Sequence, residues 1–125
     1  MKILVVEDEP ICMKLAHVVL SSDGHEVTRA EAVLNAMDEI ARSMPEVILL
    51  DLAMPYIDGL ALARKLKGDP ETKHTVIIAV TAYPERYTRT EALAAGCDAY
   101  ILKPIDTRKL TEQVMEARGM QSPEV

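Results

Sequence analysis

The sequence predicts an α/β domain built on a five-stranded parallel sheet, and three observations lead to that prediction. Short apolar runs alternate with segments of helical periodicity in five repeats of about 20 to 25 residues. The first, third and fourth runs are apolar throughout, as strands covered on both faces must be. Four of the runs are followed at once by a polar residue with reactive chemistry. Strands that alternate with helices form parallel sheets, so these polar residues are expected at one edge of the sheet.

The first two repeats show where helices begin and end. Pro10 suits the first turn of a helix because its φ is fixed and it lacks an N–H group. After Pro10, apolar residues recur at helical spacing and predict the face of the helix that packs on the sheet. These residues are Ile11, Leu15, Val18 and Val19. Gly24 is a stop signal. The polar residues 25–29 predict an edge strand, and residues 32–42 predict the second helix.

The other three repeats follow the same order. The predicted elements are strand three ending at Asp51, a loop containing Pro55 and Gly59, helix three to about Lys67, strand four ending at Thr81, helix four over residues 85–95 closed by Gly96, strand five ending at Lys103, and helix five over residues 107–118. The repeats fill the chain and leave no room for a second domain.

Composition excludes several classes of protein. The chain has 125 residues, of which 49% are apolar and 27% charged, and no run approaches the roughly 20 apolar residues of a membrane span. No signal peptide is visible, so we expect a cytoplasmic protein without a membrane partner. A net charge of −6 argues against nucleic-acid binding. Cys12 and Cys97 have no metal or disulfide spacing, and both are expected to be free thiols.

The acidic residues at the strand ends predict a metal site. Glu7 and Asp8 follow the first strand, and Asp51 ends the third. Like charges a few ångströms apart do not all stay ionised without compensation. Carboxylate oxygens together with water are the ligands that suit Mg²⁺ or Mn²⁺. We expect Mg²⁺ as the cofactor, with Mn²⁺ as a possible substitute.

The same edge of the sheet predicts phosphoryl chemistry. The Lys103 ammonium adds a fixed positive charge, and the Thr81 hydroxyl can donate to a phosphoryl oxygen. With charge drawn off an incoming phosphoryl group, a carboxylate can act as a nucleophile and form an acyl phosphate. Asp51 is the candidate because it ends a central strand and precedes a Pro/Gly loop that leaves it accessible.

Two of these residues have simpler interpretations when taken alone. Asp8, which stands just before Pro10, could be a helix cap. Tyr100 could be a packed aromatic of the fifth strand. The presence of Asp51 and Lys103 at neighbouring strand ends favours the metal-binding interpretation of Asp8.

Five motifs together resemble the receiver domain of two-component response regulators. They are Glu7-Asp8-Glu9, Asp51-Leu52-Ala53-Met54-Pro55-Tyr56-Ile57-Asp58-Gly59, Thr81-Ala82, Ala94-Ala95-Gly96-Cys97-Asp98-Ala99-Tyr100 and Lys103-Pro104. The resemblance covers the chain from end to end. It implies a flavodoxin-like, doubly wound sheet of order 2-1-3-4-5 with helices on both faces. Residues 1–119 would form the receiver domain, and residues 120–125 a short C-terminal tail.

The resemblance also implies how the acidic residues work. Asp51 would accept a phosphoryl group from a histidine kinase or a histidine phosphotransfer protein. Asp8, Asp51 and the backbone carbonyl of Ala53 would bind Mg²⁺ directly, and Glu7 would act through a water molecule. No other cofactor is implied.

The resemblance assigns the remaining site residues to phosphoryl binding and switching. Thr81, the backbone N–H of Ala82 and Lys103 would hold the phosphoryl oxygens, and the Lys103–Pro104 bond would be cis. Tyr100 would change rotamer as Thr81 moves toward the phosphate. A downstream protein would then bind the face made by helix four, strand five and helix five. The chain would be a monomer or a weak dimer that depends on phosphorylation.

Two positions suggest a long-lived phosphorylated state. Ala53, two residues after the phosphoacceptor, offers no side chain that could orient an attacking water. Tyr83, two residues after Thr81, can shield the site. Slow dephosphorylation is therefore expected.

These residues predict a phosphorylation-dependent signalling switch that catalyses only its own phosphorylation and dephosphorylation. The Met1-Lys2 start and the short tail favour a stand-alone regulator. The main alternative is a receiver module from a hybrid histidine kinase or a multidomain regulator. A haloacid dehalogenase-type phosphatase is a remote alternative. It fits poorly because it needs a second acidic residue two positions after Asp51, where this chain has Ala53. A flavodoxin-like FMN carrier fits poorly because the acidic residues 7–9 would repel a phosphate.

Overall fold

The computed structural model describes residues 1–54 and 58–121, without the side chains of residues 33, 34, 120 and 121. Five parallel strands alternate with five helices in this part of the chain. The elements are β1 (Lys2–Val6), α1 (Pro10–Ser22), β2 (Glu26–Ala30), α2 (Val33–Ser43), β3 (Val47–Asp51), α3 (Gly59–Gly68), β4 (Val76–Thr81), α4 (Arg89–Ala94), β5 (Ala99–Leu102) and α5 (Leu110–Gln121). The sheet order is β2-β1-β3-β4-β5, which confirms the predicted class and the implied order.

The sheet separates two apolar cores because successive strand residues point to opposite faces. Leu4 and Val6 of β1 pack in one core with residues of α2, α3 and α4. Ile3 and Val5 pack in the other core with residues of α1 and α5. Every residue of β3 and β4 is buried, as expected for strands with helices on both faces.

Register aligns the carboxyl ends of the strands. Val6 pairs with Leu50, and Asp51 pairs with Val80 on the next strand. Thr81 pairs with Leu102, the last residue of β5. The residues that end or directly follow β1, β3, β4 and β5 therefore lie at the same edge of the sheet.

The predicted packing face of α1 is wrong. Ile11, Leu15 and Val18 are 68%, 41% and 50% exposed, and only Val19 of the predicted stripe packs in part against the core. The buried face consists of Met13, Ala16 and Leu20. Both sets of residues recur at helical spacing, so periodicity did not distinguish them. Met13, Ala16 and Leu20 pack against the sheet and the neighbouring α5, and the small side chain of Ala16 lets these elements approach α1 closely.

Helix four starts later than predicted, at Arg89 rather than residue 85. Thr88 and Glu91 form a capping box, in which each side chain accepts a hydrogen bond from the other residue's backbone N–H. The residues before Thr88 form a turn in which Arg86 N–H donates to the carbonyl of Tyr83. Helix five likewise follows a turn at residues 107–109 and begins at Leu110.

Gly59 belongs to α3 rather than to the predicted loop. Asp58 caps this helix by accepting hydrogen bonds from the backbone N–H groups of Leu60 and Ala61. A Cβ atom at Gly59 would lie 2.8 Å from Leu52 Cα, so the helix start can approach the end of β3 only with glycine here. The predicted loop residue Pro55 lies outside the described residues.

An ion pair joins α3 to the amino edge of the sheet, which is opposite to the edge where the reactive residues lie. Lys67 Nζ lies 2.8 Å from Asp98 Oδ2 and donates to the Thr75 carbonyl at 2.7 Å. Asp98 also accepts a hydrogen bond from the Ile77 N–H at 2.9 Å. Gly96, at φ +103°, brings the chain against the Lys67 side chain in a conformation that only glycine adopts readily. This cluster therefore fixes α3, β4 and the start of β5 to one another.

Replacing Lys67 with methionine is expected to lower the free energy of unfolding by about 2 to 3 kcal/mol. This loss is smaller than the loss expected when one partner of a fully buried ion pair is removed. The substitution removes the cation that faces a largely buried carboxylate, with side chains 16% and 19% exposed. Urea unfolding measures the change. Arg42→Met is the control, because the Arg42 side chain is 69% exposed and should contribute less than about 0.5 kcal/mol. Equal effects of both variants would contradict a structural role for Lys67.

No helix in residues 1–54 and 58–121 combines the length and the apolar character needed to cross a membrane.

Candidate active site at the carboxyl edge of the sheet

Three carboxylates meet at the edge of the sheet where β1 and β3 end. Glu7 and Asp51 are buried, at 3% and 5% exposure, whereas Asp8 is exposed. One oxygen from each carboxylate lies within 4.8 Å of the others. The parallel register of β1 and β3 explains this proximity, because Val6 and Leu50 are paired directly before the acidic residues.

The two buried carboxylates are each held by a backbone N–H on one oxygen and by Lys103 on the other. Asp51 Oδ1 accepts from Ala53 N–H at 2.9 Å, and Glu7 Oε2 accepts from Glu9 N–H at 3.1 Å. Lys103 Nζ lies 2.9 Å from Glu7 Oε1 and 3.2 Å from Asp51 Oδ2. A single ammonium group therefore bridges the ends of β1 and β3.

Glu9, and not Asp8, caps helix α1. The Glu9 side chain accepts a hydrogen bond from Cys12 N–H at 2.8 Å. Asp8 makes no hydrogen bond or ion pair with the part of the chain that the structure describes. The cap interpretation of Asp8 is therefore wrong, and its exposed carboxylate is available at the mouth of the site.

The electrostatics of the site favour an additional cation. Burial, followed by the hydrogen bond and charge of Asp51, raises the pKa of Glu7 above its ordinary value. Partial burial alone would lower the pKa of Lys103, but the hydrogen bond to Glu7 and the charge of Asp51 outweigh it and raise that pKa. The Lys103 ammonium contacts Glu7 and Asp51 but not Asp8, and the donor set of the three carboxylates consists of oxygen alone. This donor set fits a hard divalent cation such as Mg²⁺.

Thr81 lies at the end of β4 with its side chain fully buried. Its Oγ1 accepts a hydrogen bond from Tyr83 N–H at 2.9 Å. Because a hydroxyl can accept and donate at once, this bond leaves the Thr81 proton available for another acceptor. Ala53 and Ala82 line the cleft that leads to Asp51.

Tyr100 lies on β5, behind the site. Its ring packs in part against the core between the sheet and α2, α3 and α4. Its hydroxyl donates a hydrogen bond to the Tyr87 carbonyl in the turn before α4. The Arg86 guanidinium lies 5.3 Å from the centre of the Tyr87 ring. Tyr87 was absent from the sequence prediction, because nothing local in the sequence indicates that its carbonyl meets Tyr100.

The cleft above Asp51 has a volume of about 480 Å³ and largely apolar walls. Ile11 and Leu15 of α1, Tyr83, and Ile105 form much of the lining. The first two were predicted to be core residues. They stand three and seven residues after Asp8, and this helical spacing was the signal that could have placed them here. Cys12 also lines the cleft, but burial and the negative charge of Glu7 raise the pKa of its thiol to about 12. The thiol is therefore protonated at neutral pH and a poor nucleophile.

Comparison with known proteins agrees with this fold. The family model of the response regulator receiver domain matches residues 3–115. The polar-differentiation response regulator DivK of Brucella ovis is 33% identical over 117 residues, which cover 94% of this chain and 95% of DivK.

Two solved structures show the same similarity in three dimensions. A CheY-like receiver domain protein from Methanospirillum hungatei has a TM-score of 0.86 at 28% identity, over 96% of this chain and 94% of that one. The receiver domain of a sensor histidine kinase from Pseudomonas aeruginosa has a TM-score of 0.83 at 29% identity, over 94% and 97% of the two chains. That structure has a magnesium ion coordinated in its active-site cleft.

A doubly wound sheet with three carboxylates and a lysine at its carboxyl edge defines a class of phosphoryl-responsive signalling domains. The chain belongs to the response regulator receiver domain family of two-component signalling. The implied cis peptide bond at Lys103–Pro104 is present.

Proposed function

We propose that this chain is a switch that accepts a phosphoryl group on Asp51 from a histidine kinase or a histidine phosphotransfer protein. The observation that carries the proposal is the contact of Lys103 with both Asp51 and Glu7, in a cluster where Asp8 supplies a third carboxylate. The switch catalyses only its own phosphorylation and dephosphorylation, and has no other enzymatic role.

Asp51 is proposed as the nucleophile. Its Oδ1 is oriented by Ala53 N–H, and its Oδ2 contacts Lys103. Attack on phosphorus forms an acyl phosphate as the bond to the donor breaks in line. Lys103 then follows the new negative charge and holds a phosphoryl oxygen. The Thr81 hydroxyl and the backbone N–H of Ala82 are proposed to bind the remaining oxygens.

Asp8, Asp51 and the backbone carbonyl of Ala53 are proposed to bind Mg²⁺, with Glu7 acting through water. Mn²⁺ has the same ligand preference. When bound, the ion supplies positive charge that offsets the carboxylates and the phosphoryl oxygens. The support in this chain is the crowding of three carboxylates, of which Lys103 contacts two. No other cofactor is proposed.

The phosphotransfer partner can be tested directly. Each histidine kinase and phosphotransfer protein of the host is labelled with radioactive phosphate and mixed with this chain and Mg²⁺. Rapid transfer from one of them is expected. Removing Mg²⁺ with a chelator should stop it. Transfer from none of them, with the chain folded, would contradict the proposed donor class.

The signal is proposed to reach a downstream protein through a packed element rather than through the electric field. Added charge is screened within about 8 Å at physiological salt, so a field alone does not reach a distant surface. Thr81 and Tyr100 lie on adjacent paired strands, and the Tyr100 hydroxyl is tied to the turn before α4. Movement of Thr81 toward the phosphate would shift Tyr100 and reshape the face made by α4, β5 and α5.

Thr81→Ala is expected to confine the response to the site. With a beryllofluoride mimic of the phosphoryl group, backbone amide NMR shifts should change from Asp51 to about residues 84–106 in the wild type. Without the Thr81 hydroxyl, changes should remain near Asp51. Thr90→Ala is the control, since it removes a hydroxyl from exposed α4 without touching the site. Changes that spread equally far in the Thr81 variant would contradict this coupling.

The phosphorylated state is proposed to be long-lived. Tyr83 lines the cleft, and Ala53 has no side-chain group to orient a water molecule. We also propose a cytoplasmic protein that is a monomer or a weak dimer depending on phosphorylation, with no nucleic-acid or membrane partner. Residues 1–119 form the proposed receiver domain, and residues 120–125 the tail.

A stand-alone regulator is proposed, with a receiver module of a hybrid kinase or larger regulator as the alternative. The match to DivK covers 95% of DivK, and this supports a stand-alone regulator. The Pseudomonas receiver, which comes from a sensor histidine kinase, represents the second. An immunoblot of host cells distinguishes them, because a stand-alone regulator should migrate with the purified 125-residue chain.

A further inference from the structure

A second groove lies between α4, β5 and α5. Its volume is about 590 Å³, and Leu102 of β5 lines it with a side chain that is 51% exposed. Pro84 and Pro104 are exposed in its wall, and Tyr100 is half-buried there. Apolar side chains that line an exposed concave surface are typical of a partner-binding site. The groove therefore offers room and apolar surface to a segment of another molecule.

The charges of this groove favour an acidic partner. Arg89 of α4 and Lys109, just before α5, line it with exposed side chains that form no ion pair with any described residue. Asp106 is the one carboxylate among the described residues of the lining, and it lies 3.4 Å from Arg108 Nε. The whole chain has a net charge of −6, so an acidic segment is attracted to this groove rather than to the chain in general. A second copy of the chain would bring the same cations together in a two-fold interface.

Gln113 of α5 brings to the groove an acceptor that lacks a hydrogen-bond donor. Its side chain belongs to the lining, and its Oε1 is buried without a hydrogen bond from the part of the chain that the structure describes. A buried acceptor is unfavourable until it accepts a hydrogen bond. A peptide backbone offers N–H donors, whereas the phosphates of a nucleic acid only accept. The acceptor therefore favours a peptide segment over a nucleic acid as the anionic occupant.

Resting on the downstream protein of the proposed function, we propose that this partner presents an acidic peptide segment with a large apolar side chain to the groove. The apolar side chain covers Leu102, and flanking Asp or Glu side chains contact Arg89 and Lys109. A backbone N–H of the segment donates to Gln113. Tyr100 belongs both to the groove and to the proposed route from Asp51, so phosphorylation changes the affinity for the segment.

The test selects random dodecapeptides displayed on phage against the chain loaded with Mg²⁺ and beryllofluoride. The selected peptides should be richer in Asp and Glu than the starting library, and each should carry a large apolar residue. The peptide recovered most often is synthesised, and fluorescence anisotropy measures its Kd for the wild type and for variants. Partly exposed ion pairs each change a Kd only a few-fold, so Arg89→Gln/Lys109→Gln should weaken binding about tenfold, and each single variant about threefold.

Arg64→Gln/Lys65→Gln is the matched control. It removes two exposed cations from α3 that do not line the groove, so the Kd should stay within about twofold of the wild-type value. Two further variants test the other contacts. Leu102→Ser should weaken binding about tenfold because it removes the apolar surface that the segment covers. Gln113→Leu should weaken it about threefold because it removes the acceptor.

The outcomes separate this inference from the proposed function. Selection of no peptide, selection without acidic enrichment, or equal binding to the wild type and the double variant of Arg89 and Lys109 would overturn the acidic segment. A dimer of the loaded chain in analytical ultracentrifugation that this variant abolishes would assign the groove to a second copy instead. Equal peptide affinity with and without beryllofluoride would support the acidic segment but contradict the proposed switching. We expect tighter binding to the loaded chain and a loss in the groove variants alone.

Discussion

Replacing Asp51 with asparagine is expected to abolish phosphorylation of the chain. The amide keeps the size of the carboxylate and can still accept from Ala53 N–H, but it removes the proposed nucleophile and its charge. Wild-type protein incubated with Mg²⁺ and acetyl phosphate should gain one phosphoryl group per chain. Intact mass spectrometry should find none on the Asp51→Asn variant.

A matched control separates this effect from a general loss of acidic groups. Asp38 is an exposed carboxylate on α2 with no role in the site. Asp38→Asn should be phosphorylated like the wild type. If Asp51→Asn still gained a phosphoryl group, another residue would be the acceptor, and the proposed chemistry of Asp51 would have to be abandoned.

Removing the Asp8 carboxylate is expected to weaken Mg²⁺ binding and to slow phosphorylation at least 100-fold. That factor corresponds to about 3 kcal/mol of lost transition-state stabilisation, a size typical of a metal that offsets phosphoryl charge. The fold should be retained or become more stable, because Asp8→Ala relieves like-charge crowding with Glu7 and Asp51. Calorimetric titration measures the affinity for Mg²⁺, and thermal unfolding measures stability.

Glu9→Ala gives the opposite pattern if the roles of the two neighbouring acids are as proposed. Glu9 caps α1, so its removal should lower stability by about 1 kcal/mol. Mg²⁺ affinity should change little, because the three-carboxylate cluster remains. Loss of stability in Asp8→Ala with unchanged Mg²⁺ affinity would contradict a metal-binding role for Asp8.

Much of the site could be predicted because its chemistry is local to the strand ends. A buried parallel strand is an apolar run, and the residue that follows it must lie at the carboxyl edge of the sheet. The sequence alone therefore predicts that Glu7, Asp8 and Asp51 lie together, and in the structure one oxygen of each lies within 4.8 Å of the others. The strand order needed the family resemblance, because periodicity carries no information on which strands are neighbours.

Contacts between distant segments were decided only by the tertiary structure. Helix α1 carries two apolar stripes, and the neighbouring sheet and α5 determined that Ala16 and Leu20 are buried while Ile11 is exposed. The bond from Tyr100 to the Tyr87 carbonyl joins β5 to a turn 13 residues away, where no periodic signal exists.

The sequence by itself determined the α/β class and the set of reactive groups at the sheet edge, because strand periodicity and the ends of apolar runs are local properties. The tertiary structure decided which oxygen of Asp51 faces Lys103 and which side chains of α1 line the cleft. The physical reason is that a helix with two apolar faces and a carboxylate with two oxygens each have alternatives of similar local energy. Packing against residues far away in the chain selects between them.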